Sequence, residues 1–423
     1  MRVADNAPVT NRRRWTIVGL LFIASLINYF DRATIAFALP LISRDLQLGP
    51  EAKGVLLSAF FWSYALMQIP MGVLADRVNL RWLYAAAFTL WSVSQGLVGL
   101  ATGLGSLIAF RVLLGVGEAI YLPGGSKIVS LLFSSAERGL PSGLFDAGTR
   151  TGLVIEGVLV PWMLTRYGWR TTFAAVGFSA LVWLIPWLAA TPRDLHGRAA
   201  HPAHVHDPLS HRLRVLATNR NMIGICAAFF CFDYYWYFLV NWLPDYLVTA
   251  RGLTLLRAGI YAALPYLVFG ASEPIGGWIA DRLVMAGWSQ TRARKMVVTV
   301  ALLTGLFLIP ASRVTDPLAA VALIIGGCLV GLATGNLLVI LQACSPPEEI
   351  GLWTGAYNFV GNIAGILSPL MTGVLIAATG SYAPAFVLAA VLIALGPLAL
   401  WLVVGELKPP DATASAADRP SEV

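Results

Sequence analysis

The chain has 423 residues, of which 57% are hydrophobic and only 12% charged, with a formal net charge of +7 and a mean hydropathy of +0.72. Soluble domains carry about a quarter charged residues, so the composition excludes an ordinary soluble enzyme or nucleic-acid-binding module and describes a polytopic membrane protein. The four cysteines lie in apolar stretches with no CxxC spacing and read as small buried hydrophobes, not as a disulfide framework or metal site.

In chain order, twelve apolar stretches are long enough to cross a ~30 Å hydrocarbon core as helices. They cover residues 15–40, 53–74, 82–102, 104–133, 138–165, 170–190, 220–248, 256–282, 295–312, 316–345, 350–378 and 382–404. Long unbroken runs, not alternating ten-residue strands, predict an all-α membrane protein. The polar segment 191–219 separates six spans from six, so the expected organisation is a six-helix bundle over 1–190, a linker over 191–219, a second six-helix bundle over 220–404 and a disordered tail over 405–423. Such duplication is a feature of transporters that rock one half against the other.

The basic residues set the expected orientation. If both termini are cytoplasmic, the cytoplasmic segments hold 18 Lys and Arg and the outer loops 7, with Arg32, Arg111, Lys127 and Arg150 inside helices. That bias predicts cytoplasmic termini, and it accounts for the net charge without nucleic acid. All five histidines fall in the linker at irregular spacing, which predicts a solvated segment and no metal site. Proton chemistry inside the membrane therefore rests on carboxylates.

The two halves echo each other. GVLADRVNLR (Gly72 to Arg81) follows span 2, and GGWIADRLVMAGWSQTRARK (Gly276 to Lys295) follows span 8. Asp76, Arg77, Arg81, Asp281 and Arg282 are expected to latch the cytoplasmic side in one state of a transport cycle. Span 5 carries Gly143, Gly148 and Gly152, and span 11 carries Gly355, Gly361 and Gly365, a pattern expected to let helices approach closely.

Charge inside the spans is the functional signal, because each such residue costs about 2.5 to 3.5 kcal/mol at the centre of a membrane helix on insertion scales. Six acids are read as lying well inside the spans (Asp31, Glu118, Asp146, Glu156, Asp233 and Glu273), set against Arg32, Arg111, Arg150 and Lys127. Adjacent residues point about 100° apart on a helix, so Asp31 and Arg32 are expected to face different neighbours. Arg111 and Glu118 are two turns apart on one face of span 4 and can line one cavity. In the mechanism this suggests, Arg32 and Arg111 hold a substrate carboxylate, and Asp31 and Glu118 bind protons that free the arginines for it. A purely structural role, helices locked by ion pairs, is the alternative.

The twelve spans, the central linker and the doubled Asp-Arg loops resemble the major facilitator superfamily. Within it, INYFDRATIAFALP, FFWSYALMQIPMG, FRVLLGVGEAIYLPG, WYFLVNWLPDYL and GAYNFVGNIAGILSP resemble segments of the anion:cation symporter family and its hexonate and hexuronate permeases. The resemblance implies proton-coupled symport of a small organic anion, with Asp31 and Glu118 in protonation and Arg32 and Arg111 in anion recognition. It also implies ligand-side positions at Tyr64 and Asn358. Beside these stand Thr149, Arg150 and Trp236 as further substrate candidates, and Asp146 and Asp233 as additional charge sites. Arg150 and Asp233 depart from the family pattern, where neutral polar residues are usual; an Asp146–Arg150 pair within one helix is an equal alternative for Arg150. Glu156 and Glu273 receive no role from the resemblance.

A proton gradient is then the driving force, no cofactor is expected, and the protein is expected to work as a monomer in the bilayer. An exporter, antiporter or uniporter of the same fold is the first alternative. A membrane-embedded enzyme or receptor is a remote one, since the chain has no HExxH, GxSxG or GxxxxGK[ST] motif.

Overall fold

The computed structural model of the protein describes residues 10–133, 139–195, 209–346 and 350–408. The linker histidines expected to be solvated fall outside the described residues or, for His211, have a side chain outside them, as does the tail beyond 408.

The described residues form long helices. These are α1 (Asn11–Leu46), α2 (Pro50–Arg77), α3 (Leu80–Val98), α4 (Leu104–Glu118), α5 (Tyr121–Leu132), α6 (Gly139–Ala180), α7 (Leu184–Ala190) and α8 (Leu209–Thr218). They continue with α9 (Arg220–Thr249), α10 (Leu255–Met285), α11 (Gln290–Thr304), α12 (Leu308–Arg313), α13 (Pro317–Gly327), α14 (Thr334–Cys344), α15 (Ile350–Thr379) and α16 (Ala383–Leu402).

Local chemistry sets the ends. Thr10 caps α1 by accepting from the Arg13 amide, Pro50 opens α2, and Asp316 caps α13 by accepting from the Ala319 amide. Asn79 caps α3 through the Arg81 amide, and its Nδ2 donates to the Arg193 carbonyl at 2.6 Å. It closes the turn after α2 and ties that turn to the end of the sixth span.

Among the described residues, ten helical segments are long and apolar enough to cross a membrane. Two differences from the twelve expected spans have local causes. Spans 5 and 6 run on as one segment, Pro141–Ala190, with the change of direction carried by Gly168 at φ 74°, a left-handed conformation suited to glycine. The third span is α3, 19 residues long, whose polar Ser92, Ser94 and Gln95 are buried among its neighbours.

Prolines divide other spans. Pro123 has no amide hydrogen to give the Ala119 carbonyl, and the fourth span breaks at Ala119 and Ile120 into α4 and α5. Pro186 and Pro310 follow the 3-10 turns Leu181–Trp183 and Gly305–Phe307 in the same way.

The chain forms two compact units. The first gathers the described residues of Met1–His204, Val240–Tyr266 and Pro369–Gly380. Its core includes the rings of Phe88 and Trp183, stacked at 4.2 Å, and of Trp183 and Trp187 at 4.9 Å. The Trp183 indole also donates to the Leu20 carbonyl of α1 at 2.9 Å. α6 approaches α1 closely at two glycines: a β-carbon at Gly148 would collide with the Phe22 carbonyl and one at Gly152 with the Leu26 carbonyl. Gly143 and Gly355, expected to share that role, instead face open space.

The second unit gathers the described residues of Val205–Leu239, Leu267–Ser368 and Ser381–Val423. Aromatic contacts dominate it. Phe229 stacks on Tyr357 at 3.6 Å and Trp236 on Phe269 at 4.1 Å, while the Ser368 hydroxyl donates to the Tyr234 carbonyl.

Candidate functional site

Charged residues gather inside the first unit. Asp31, Glu118 and Glu156 are fully buried, with Arg111 at 1% exposure and Arg32 at 7%. α1 contributes Asp31 and Arg32, α4 contributes Arg111 and Glu118, and α6 contributes Glu156.

Asp31 and Arg32 turn to different partners, as their helical offset requires. Arg32 Nε donates to Glu118 Oε2 at 2.7 Å. Its guanidinium also lies 4.3 Å from the centre of the Tyr64 ring, 4.8 Å from Phe60 and 5.0 Å from Tyr29. An aromatic cage of this kind stabilises a cation that burial has stripped of water. Tyr64 and Phe60 are themselves stacked at 5.1 Å, one turn apart on α2.

Arg111 is placed differently. It faces Phe60 at 5.1 Å, and its Nε and Nη1 have no hydrogen-bond partner among the described residues. It lies within electrostatic reach of Glu118, Arg32, Asp31 and Glu156. Neither carboxylate oxygen of Asp31 has a hydrogen-bond partner among the described residues. Gln95 of α3 donates to the Asp31 backbone carbonyl at 3.1 Å and holds that turn of α1. The cluster thus combines one closed ion pair with a guanidinium and two carboxylates, Asp31 and Glu156, whose polar atoms remain open. Such groups are costly in an apolar interior unless a ligand or proton joins them.

Glu118 is the last residue of α4, at the break that Pro123 imposes. The break ends the helix where the carboxylate meets Arg32. Gly115, one turn earlier, leaves room for the Phe60 carbonyl and Ser63 hydroxyl of α2, and this close packing brings the Phe60 and Tyr64 rings to the arginines.

The other predicted positions are distributed. Thr149 is buried in α6, donating to the Asp146 carbonyl at 2.7 Å, and Arg150 is half-buried with Nη1 3.5 Å from the Thr149 hydroxyl. Asp146 is exposed on the same helix. Trp236, Asp233 and Asn358 belong to the second unit. Trp236 is buried against Phe269, Asn358 is half-buried in α15, and an oxygen of Asp233 occupies the space beside Gly361 that a larger side chain would need.

The predicted cytoplasmic latch residues have these surroundings. Arg81 donates to the Leu188 carbonyl at 2.7 Å, Asp281 accepts from Arg294 at 2.9 Å, and Arg282 lies over the Trp278 ring at 5.2 Å. Arg77 is exposed, and the Asp76 side chain lies outside the described residues. Among the described residues no group of three His, Cys, Asp or Glu is placed to hold a metal ion.

Sequence reasoning missed one buried acid. Asp245 of α9 has a fully buried side chain and pairs with Lys53 of α2 at 3.0 Å. The signal was present in NWLPDYL, an acid after a proline inside the seventh span, and in a lysine opening the second. Asn28 and Gln95, both fully buried beside the charged cluster, are lone amides in apolar spans and carried the same signal more weakly.

Comparison with known proteins fits this architecture. A model of the Major Facilitator Superfamily matches residues 21–369, and again 283–422. The chain is 32% identical over 426 residues to a probable galactarate/D-glucarate transporter of Bacillus subtilis, covering 93% of this chain and 92% of that one. It is 31% identical to a D-galactonate transporter of Escherichia coli, covering 96% and 99%. Among solved structures, a bacterial homologue of the human lysosomal transporter Spinster superposes with a TM-score of 0.78 at 18% identity, covering 93% of this chain and 97% of that one. The chain is a multi-pass membrane transporter, not an enzyme, and it belongs to the Major Facilitator Superfamily.

Proposed function

We propose that the protein is a secondary active transporter that takes up a small organic anion, a sugar acid or related carboxylate, together with protons. One observation carries the reading: two buried arginines share a single cluster with buried carboxylates, and only one of the arginines is held by a direct ion pair within it. The names of the sugar-acid transporters to which the chain is similar point to the same substrate class.

Arg111 offers open guanidinium hydrogens suited to a carboxylate. Arg32 becomes available when Glu118 is protonated and releases it. Asp31, beside Arg111, accepts a second proton as the anion takes the guanidinium. Proton and anion binding then favour each other, which is the thermodynamic content of symport. Tyr64 and Phe60 keep Arg32 in place while its partner changes. Arg150, Thr149, Trp236 and Asn358 are candidates for recognising the remainder of the substrate.

In this reading the six-helix halves, 1–190 and 220–404, alternate access to the site about the 191–219 linker, and the Asp-Arg loops serve as the cytoplasmic latch. The protein works as a monomer in the bacterial inner membrane with both termini in the cytoplasm. The proton gradient is its energy source, and no cofactor takes part.

The test is uptake into proteoliposomes across sugar acids, dicarboxylates and aromatic acids, with and without an inward proton gradient. Accumulation of one class that requires the gradient and is lost in both Asp31→Asn and Arg111→Ala supports the reading. Accumulation indifferent to the gradient, or intact in both variants, overturns it in favour of a facilitator or exporter.

A further inference from the structure

Glu156 has no part in the mechanism above, yet its position is highly specific. It lies on α6 with no exposed surface, and neither carboxylate oxygen has a hydrogen-bond partner among the described residues. The helix register explains how it comes to be there. Gly148 meets α1 at Phe22 and Gly152 meets it at Leu26, so a step of about one turn on α6 matches the same step on α1. The next turn of α6 brings Glu156 to the level of Phe30 on α1, whose carbonyl accepts from the Thr34 hydroxyl at 2.7 Å. Thr34 stands beside the Glu156 carboxylate, and Asp31 of α1 and Arg111 of α4 lie within its electrostatic reach.

The surroundings offer little else. On the neighbouring face of α6, Gly157 meets Gly259 and Ala263 of α10, which bring no titratable group. On α6 itself the nearest charged residues are Arg150, about six positions earlier, and Asp146 and Arg166, each about ten positions away. Glu118 of α4 is already joined to Arg32. The cluster therefore holds three buried carboxylates and two guanidiniums, and with Arg32 engaged, Asp31 and Glu156 share Arg111.

We propose that Glu156 is an additional proton-binding site of the transport cycle, competing with Asp31 for Arg111, so that an anion seated on Arg111 travels with a proton on each of these two carboxylates. The proton enters with the anion from the outer side and leaves from the inner side as Arg111 re-forms its contact with a carboxylate. No bond other than O–H is made or broken. This inference rests on the symport reading for its consequence, but the proton-binding site can be detected without it.

Two measurements test it on the full-length protein in proteoliposomes. The first is substrate-free infrared titration, following the carbonyl stretch of protonated carboxylic acids against pH. Glu156→Gln should remove one titrating band distinct from the band that Asp31→Asn removes, and Glu156→Asp should shift it. The second is the equilibrium accumulation of the transported sugar acid against an imposed proton gradient. Glu156→Gln should lower the coupling by one proton per anion while counterflow exchange, which moves no net protons, persists at a reduced rate.

An unchanged titration in both Glu156 variants would overturn the proposal, whatever the transport data, and so would unaltered coupling in Glu156→Gln. If wild-type transport ignores the gradient while the Glu156 band still titrates, symport fails and the proton site stands.

Discussion

The Lys53 ammonium of α2 lies 3.0 Å from Oδ1 and 3.2 Å from Oδ2 of Asp245 in α9, although 192 residues separate them in sequence. The Thr249 hydroxyl donates to the same carboxylate at 3.3 Å. Gly54, next to Lys53, packs against the backbone of Pro369 and Gly373. The pair is therefore set in a tightly packed region of the first unit.

Removing one partner of a buried pair leaves the other charge uncompensated, at a cost of about 3–5 kcal/mol, whereas replacing both by apolar residues is often neutral. Asp245→Asn and Lys53→Met are each expected to lower the melting temperature of the detergent-solubilised protein. The Lys53→Met/Asp245→Leu double variant should recover most of the loss. A loss in the double variant equal to the sum of the two single losses would show that the pair contributes no coupling.

Tyr64 is expected to act through its ring face beneath Arg32. Tyr64→Phe keeps that face and should transport with near-normal affinity. Tyr64→Ala removes a desolvated cation–π contact of about 2 kcal/mol, roughly a 30-fold weakening of apparent affinity. A concentration series of substrate uptake distinguishes the two variants, and equal impairment would assign the effect to the hydroxyl.

Glu118 is expected to couple pH to binding. If its proton releases Arg32 for the anion, linkage requires apparent affinity to rise as pH falls, because the proton and anion bind together. Glu118→Gln imitates the protonated state and should weaken this dependence while lowering gradient-driven accumulation. Binding measured by calorimetry at several pH values would reveal it, and a variant as pH-dependent as the wild type would remove Glu118 from the coupling.

Glycine at position 152 is required by the approach of α6 to the Leu26 carbonyl, while Gly143 faces open space. Gly152→Val should reduce the yield of folded protein, consistent with overpacking costs of about 1–3 kcal/mol. Gly143→Ala should be harmless or stabilise by roughly 0.5–1 kcal/mol, since alanine is the better helix former. Size-exclusion profiles and melting temperatures of the two variants provide the comparison.

The helices and the charged positions on them were legible in the sequence because both signals are local. Apolar length gives a span, and the cost of intramembrane charge singles out Asp31, Arg32, Arg111 and Glu118. The 100° offset between neighbours even separates the partners of Asp31 and Arg32. Partnership across the chain was not legible. Nothing near Lys53 specifies Asp245, and nothing in span 5 assigns Glu156 to Arg111, because those meetings depend on how helices distant in sequence are brought together. The breaks at Ala119 and Gly168 fell between these cases. Pro123 and Gly168 were visible, but an apolar run gives no measure of how sharply a helix turns.

The direct backbone contact of α1 with α6 constrains the timing of transport. With glycines at 148 and 152 against carbonyls of α1, the two helices meet backbone to backbone at these two turns, so sliding one past the other there would drive backbone into backbone. Asp31 and Glu156 consequently ride on one rigid strut, and their separation is not a moving part. In the proposed cycle, loading and unloading are governed by rotations of Arg111 and the carboxylates, motions fast compared with domain movement. The chemistry of the site should reach equilibrium within each access state before the slower opening exposes it to the other side.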